Sequence, residues 1–284
     1  MSKFYKFIDL IKENEEDLIF TIAEIGAHPY GNFKETFHSL LDYFPNSKIY
    51  AFEVNKEECD KLNKICKKGM KFFPYALGEK KERRKFYNTY HPVCSSLYEP
   101  NEEFIKLYNK MNFAYLKNVT EIDTISLDDF KKIEQIKSID FIKIDIQGAE
   151  LDVFKGASNT LKDVLMIVSE VEFVEHYKNQ PLFGNVSEFL NKKNFMFHKF
   201  LGLSGRALKP VVLKNDETFP SQHMWSDAMF ILNFKNIYNT SDSNLLKMAV
   251  LSFLYNSPDL TFFYLKEYDK RRKTFICESY QKIF

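Results

Sequence analysis

The sequence predicts an α/β fold: a doubly wound parallel sheet with helices on both faces. Three observations carry this expectation. Short apolar runs rich in β-branched residues alternate with stretches of helical periodicity from about residue 18 to residue 234. Several of these runs are apolar throughout, as strands buried on both faces must be. Two of them, Leu18–Gly26 and Lys48–Glu53, finish on an acid, at the carboxyl end of a strand where open α/β sheets collect ligands.

The elements follow in order. Phe4, Phe7, Ile8 and Ile11 form one helical stripe near the N-terminus. The run Leu18–Gly26 is the first strand, and Phe33, Phe37, Leu40, Leu41 and Phe44 recur at helical spacing until Pro45 ends the helix. Lys48–Glu53 is a second strand, Lys56–Lys68 a helix, and Lys71–Tyr75 and Arg84–Asn88 short strands. Glu102–Met111 reads as a helix, Lys117–Ile125 as a strand, and Ser126 as the cap of a short helix. Ile139–Asp145 is the clearest later strand and leads into a helix from Ala149 that is interrupted or capped near Gly156. Strands Val164–Val171, Phe195–Leu201 and Ala228–Phe234, with a helix at Val186–Lys193, complete the pattern. Residues Gly202–Trp225 read as loop. The polar stretch Asn236–Asn244 then separates two helical segments, Leu245–Tyr255 and Asp259–Lys270, the first apolar almost all round. The chain is therefore divided into an N-terminal helix (1–17), a ligand-binding domain (18–235) and a C-terminal helical extension (236–284).

Composition narrows the partners. With 45% hydrophobic residues among 284, the chain can bury a large core. Its 40 basic and 39 acidic residues give a formal charge of +1, too balanced to steer the protein toward nucleic acid or an anionic membrane. The N-terminal residues carry Asp9, Glu13, Glu15 and Glu16 with no continuous apolar segment, so no signal peptide is read there, and Leu245–Tyr255 is too short to span a bilayer. The 4 cysteines form no Cys-x-x-Cys pair and read as free thiols. A cytoplasmic protein is expected. The extension either covers an edge of the main domain or makes a homodimer contact through its helices; the apolar stretch motivates the second expectation.

The ligand is approached residue by residue. Gly26 after the first strand lets backbone come close to a ligand, and the next helix start supplies N–H donors. The loop is neither Gly-x-Gly-x-x-Gly, because His28 replaces a glycine, nor a P-loop, because Gly31 is followed by Asn32 and Phe33. A pyrophosphate is poorly served there. Glu53 suits a ribose, since two carboxylate oxygens match two vicinal hydroxyls.

The segment Ile139–Ala157, read as IDFIKIDIQGAELDVFKGA, closely resembles the signature of the FkbM-type methyltransferases, an S-adenosylmethionine (SAM)-dependent family of class I. Glu24–Ala27 is similar to that family's first motif, Ala51–Asn55 to its ribose-binding strand end, and Tyr75–Gly78, Ser95-Ser96 and Ser126–Asp129 also match in order. Glu170 falls where the family carries an acid after the next strand. The departures are Glu24 in place of the commoner Asp, and His28-Pro29 in place of an Asn-containing turn.

The resemblance covers residues 18–234 and implies a mostly parallel seven-stranded sheet of the class I methyltransferase type. It also implies SAM as cofactor, bound by Glu24, Gly26, Ala27, Glu53, Val54, Ala76, Leu77 and Asp145, and a hydroxyl acceptor on a small molecule or glycan. An alcohol needs a base as the new bond forms. The candidates are Asp145 first, then Glu170, then His28 in the cofactor loop; Glu172 and His223 were weaker choices, and the remaining histidines, His38 among them, read as structural or surface. Ser95, Ser96, His223 and Trp225 are expected around the acceptor. Strand alternation sends Glu170 and Glu172 to the same face, yet no His-x-His or His-x3-His pair joins them, so no metal is expected. Two rival readings are a nucleotide-binding oxidoreductase on a similar sheet and a non-catalytic SAM-binding scaffold in glycan assembly.

Overall fold

A computed structural model of the chain describes residues 3–15, 17–27 and 35–283. Helix α1 (Lys3–Lys12) precedes β1 (Thr21–Ile25). A 3-10 turn at Thr36–Ser39 leads into α2 (Leu40–Tyr43), β2 (Lys48–Phe52), α3 (Lys56–Ile65) and β3 (Met70–Phe73). Then come β4 (Ala76–Leu77), β5 (Glu82–Thr89), α4 (Glu102–Ile105), β6 (Leu116–Ile125) and α5 (Leu127–Ile133). The signature segment supplies β7 (Phe141–Ile144) and α6 (Glu150–Lys155). Strand β8 (Met166–Glu172), α7 (Phe183–Lys192), β9 (Phe195–Phe200) and β10 (Trp225–Leu232) finish the sheet, and α8 (Asp242–Leu254), α9 (Pro258–Arg272) and α10 (Ile276–Gln281) follow.

The main sheet has seven strands in the order β3-β2-β1-β7-β8-β10-β9. All pairs are parallel except those of β10, which runs antiparallel to β8 and β9. The order therefore reverses between β1 and β7, the switch point at which ligands enter such sheets. A second sheet, β4-β6-β5, was not anticipated. It is held to the signature helix by Arg84 of β5, whose Nη1 lies 2.6 Å from Asp152 Oδ2 of α6. Gly156, at the end of α6, must lack a side chain, because a Cβ there would collide with the carbonyls of Gly78 and Glu79 just after β4. Two motif segments far apart in sequence thus abut.

Strand alternation splits the core in two. Ile22, Phe141, Val168, Met229 and Ile231 face a cluster completed by α1, the Phe37–Leu41 segment and the three C-terminal helices. Ala23, Ile25, Ile142, Ile144, Ile167 and Phe230 face another, completed by α5, α6 and α7. The apolar residues of α8 are spent inside the chain: Leu245, Leu246, Ala249, Val250 and Leu251 are fully buried against the sheet. At about 2 kcal/mol for each large side chain, this burial alone explains an apolar helix. The observation that motivated a homodimer contact is accounted for by covering the sheet. Lys247 of α8 also pairs with Asp140 at 2.8 Å, tying the extension to the start of β7.

Three expectations on elements are corrected. The helix expected over Glu102–Met111 stops at Ile105, because the residues beyond it bond to the later loop, the Leu107 carbonyl accepting from Lys209 N–H at 2.8 Å and Asn109 N–H donating to the Ala207 carbonyl at 2.9 Å. The helix expected from Phe33 to Phe44 is a 3-10 turn and a short α2, with Phe33 outside the described residues. A third C-terminal helix, α10, is started by Asp269, whose carboxylate accepts from the backbone N–H of Ile276 and Cys277. Among the described residues no helix is long and apolar enough to cross a membrane.

Candidate functional site

A cavity of about 230 Å³ opens at the carboxyl ends of β1, β2 and β7. The eight residues expected to hold a cofactor, Glu24, Gly26, Ala27, Glu53, Val54, Ala76, Leu77 and Asp145, all line it, as do Ser95 and Ser96. The second sheet supplies Ala76, Leu77 and Phe86 to one wall, which is why this small insertion matters.

Gly26 earns its place by packing as well as by any ligand. Its φ is +82°, and a Cβ would overlap the carbonyl oxygen of Asp145. The ends of β1 and β7 therefore touch, and Asp145 N–H donates to the Ile25 carbonyl at 2.9 Å. Glu53 is fixed by accepting from the Asn55 N–H at 2.8 Å, while Asn55 itself caps α3.

Two groups of charged residues flank the switch point. The first surrounds Glu24. Its Oε2 lies 2.7 Å from His38 Nε2, and both side chains line the cavity. Lys143 stands beside Glu24 in register on β7 and pairs with Asp227 of β10 at 3.0 Å. Glu35 also lines this end; burial raises its pKa, with Lys143 working in the opposite direction. For Lys143 burial disfavours the charge, yet Asp145, Asp227 and Glu35 more than offset it and hold the ammonium above its ordinary pKa. The Tyr255 hydroxyl, just after α8, is buried near these acids without a hydrogen-bond partner among the described residues.

The second group surrounds Asp145. Gln147, in a left-handed conformation (φ 59), donates its amide to Asp145 Oδ1 at 2.8 Å and to Glu170 Oε2 at 2.6 Å. Ser96 holds this turn by donating to the Gln147 carbonyl at 2.7 Å. Glu150 accepts from the N–H groups of Ile146 and Gly148 at 2.8 and 3.3 Å, and burial pushes its pKa up to about 7. Burial first, and then the charges of Asp145 and Glu172, raise Glu170 well above the carboxylate range. Glu172 is raised likewise by burial, Glu150 and Asp145. The Tyr177 hydroxyl lies 2.7 Å from the Cys94 carbonyl and 3.1 Å from Gln147 Oε1, closing the network. Crowded acids of this kind share protons and bind them tightly, which suits proton transfer near a reacting group.

The remaining expected residues fall as follows. Glu170 adjoins the cavity through Gln147. Trp225 begins β10, pairs with Glu172 and is half-buried, away from the cavity wall. His223 is exposed and does not line the cavity. His28 lies outside the described residues. Gln147, Tyr177, His38, Glu35 and Lys143 belong to the site or its support and had not been singled out. Only Lys143, a charge inside an otherwise apolar strand, carried a visible signal. Among the described residues no group of three or more His, Cys, Asp or Glu side chains is arranged to hold a metal ion.

Comparison with known proteins adds a family. The model of the methyltransferase FkbM domain matches residues 24–197, which include every expected cofactor residue. A curated relative, the 2-O-methyltransferase NoeI of Sinorhizobium fredii, is 23% identical over 177 residues, covering 56% of this chain and 66% of its own length. Among solved structures, a putative methyltransferase from Thermoplasma acidophilum matches at 9% identity and a TM-score of 0.34, over 76% of this chain and 68% of its own. The 23S rRNA methyltransferase ErmE matches at 7% identity and a TM-score of 0.32, over 87% and 77%.

Proposed function

The chain belongs to the FkbM methyltransferase family, and from that premise we propose that it is a SAM-dependent O-methyltransferase acting on a hydroxyl of a sugar or glycan. The observation that carries the reading is the convergence of Glu24, Glu53 and Asp145 on one cavity at the switch point of the sheet. The residues present suit the cofactor. Acids at three strand ends match an ammonium and a ribose diol, and the apolar wall of Ala76, Leu77 and Phe86 matches an adenine. The hydroxyl acceptor draws support from a relative named a 2-O-methyltransferase.

SAM, when bound, supplies a methyl group made electrophilic by a sulfonium. The chain's own residues do the rest. Glu53 holds the ribose. Glu24, with His38 behind it, and Lys143 offer opposite charges to the ammonium and carboxylate of the methionine end. Asp145 takes the hydroxyl proton, and Glu170, whose proton affinity burial raises, lies across the shared Gln147 amide as its partner. Ser95, Ser96 and Trp225 border the acceptor, with His223 at the surface beyond. His28, adjoining Ala27, is the competing base. We assign catalysis to residues 18–235, with 1–17 and 236–284 as helical cover. Four free cysteines support a reducing, cytoplasmic setting.

The test is to screen the full chain with labelled SAM against sugar nucleotides and glycans. Label on an acceptor hydroxyl is the expected result. Tight NAD binding without SAM binding would favour the oxidoreductase reading, and SAM binding with no transfer to any acceptor would favour a scaffold.

A further inference from the structure

Arg206 is a half-buried guanidinium with almost nothing to bind. Among the described residues its one hydrogen bond runs from Nη1 to the carbonyl of its own neighbour, Gly205, at 2.7 Å. Its Nε is buried with no partner, and no carboxylate stands at ion-pair distance among the described residues. The guanidinium is held over the Trp225 ring, 5.0 Å from its centroid. His176 meets the same ring edge-on at 5.6 Å, is buried, and also has a partnerless Nε2. Two buried nitrogens without acceptors, one on a permanent cation, are costly unless something else completes them. A guanidinium offers paired N–H groups that match an oxyanion in two-pronged fashion.

The position is informative too. Pro92–Cys94 forms a 3-10 turn, with Pro92 and Val93 on the cavity wall. The Cys94 carbonyl takes the Tyr177 hydroxyl, which also reaches Gln147, and Gln147 donates to Asp145. Cys94 and Trp225 pack against the same small apolar cluster, which includes Tyr108 and Met224. The Pro92–Cys94 turn thus joins the cavity wall to the cluster on which Trp225 and its stacked Arg206 sit.

We propose that Arg206, stacked on Trp225 beside His176, is an anion-binding subsite for the acceptor, so that the molecule methylated here carries a phosphate or carboxylate group. The proposal rests on reading the cavity as a methyltransferase site. Neutral His176 adds a second donor to the anion, and Trp225 offers a flat face to the ring that bears it. Burial and the nearby Arg206 keep His176 neutral by lowering its pKa to about 4.

Trp225 is the only tryptophan in the chain, so intrinsic fluorescence reports on this corner. The full chain is titrated at fixed ionic strength with inorganic phosphate, with glucuronate, and with glucose as the neutral control. A saturable change is expected with at least one anion and none with glucose; which anion responds distinguishes phosphate from carboxylate. Arg206→Gln is expected to weaken that binding about tenfold or more, and Arg206→Lys to retain part of it. Calorimetry with SAM on the same samples should give equal affinities for wild type and both variants. No saturable change with either anion, or a change that survives Arg206→Gln, would overturn the subsite. Loss of SAM binding in Arg206→Lys would reassign Arg206 to the cofactor. A chain that responds to anions and never binds SAM would sink the methyltransferase reading and leave the anion site standing.

Discussion

The two acidic ends of the cavity are built in opposite ways. Around Glu24 the acids have nitrogen partners: the His38 ring lies at 2.7 Å from Glu24 and the Lys143 ammonium at 3.0 Å from Asp227. Around Asp145 the acids Glu150, Glu170 and Glu172 have none at ion-pair distance among the described residues, and are satisfied by backbone N–H groups and the Gln147 amide. A carboxylate and an ammonium side by side can receive a ligand bearing both signs. Unpaired, desolvated acids raise one another's proton affinity. The first end is therefore suited to holding the methionine part of SAM, and the second to handling the proton released by the acceptor.

Substitutions can break this contrast. The largest effect is expected for Asp145→Asn, which keeps the Gln147 contact but removes the base: kcat should fall about 10²- to 10⁴-fold with SAM affinity little changed. If His28→Gln produces that loss instead, the acid-only end does not handle the proton. Lys143→Met should cost about 3 kcal/mol in denaturant unfolding, because it removes the buried cation that faces Asp227, Asp145 and Glu35. The low end of the range applies, since Asp227 is 39% exposed at its side chain. A Lys143→Met, Asp227→Asn double variant should recover part of that loss; no recovery would show that the pair is not the cause. Glu24→Gln should weaken SAM binding about tenfold by calorimetry, the scale of one charge-assisted hydrogen bond.

A further contrast is a pH slope. Glu170 has a raised pKa in the folded protein, so the native state binds a proton that the unfolded chain releases above about pH 4.5. Its contribution to stability falls as pH rises from there toward the raised folded value, by about 1.4 kcal/mol per unit. Glu170→Gln lacks this loss. Its stability relative to wild type should grow between pH 5 and 7 in denaturant melts, and a constant difference would mean that Glu170 is ionised like any surface acid.

What could be read from the sequence follows from where each residue sits. β1, β2 and β7 are short, mostly apolar runs, so their ends, and with them Glu24, Glu53 and Asp145, could be located without coordinates. Gln147 was hidden because its importance comes from a left-handed turn that aims one amide at two acids from different strands. His38 sits among Phe37, Leu40 and Leu41 and looked like helix filler; a 3-10 turn rather than an α-helix brings it to Glu24. Tyr177 and Arg206 lie in irregular segments, where neither period nor spacing fixes direction. The apolar α8 was legible as buried, but its partner was not, since periodicity cannot distinguish a sheet of the same chain from a second subunit.

The most direct test of the central claim is calorimetric titration of the full chain with SAM and, separately, with NAD. Saturable one-to-one binding of SAM, weakened by Glu24→Gln and by Glu53→Gln and retained in Asp145→Asn, is the expected result. Absence of SAM binding, or binding indifferent to both Glu24 and Glu53, would contradict the assignment of this cavity.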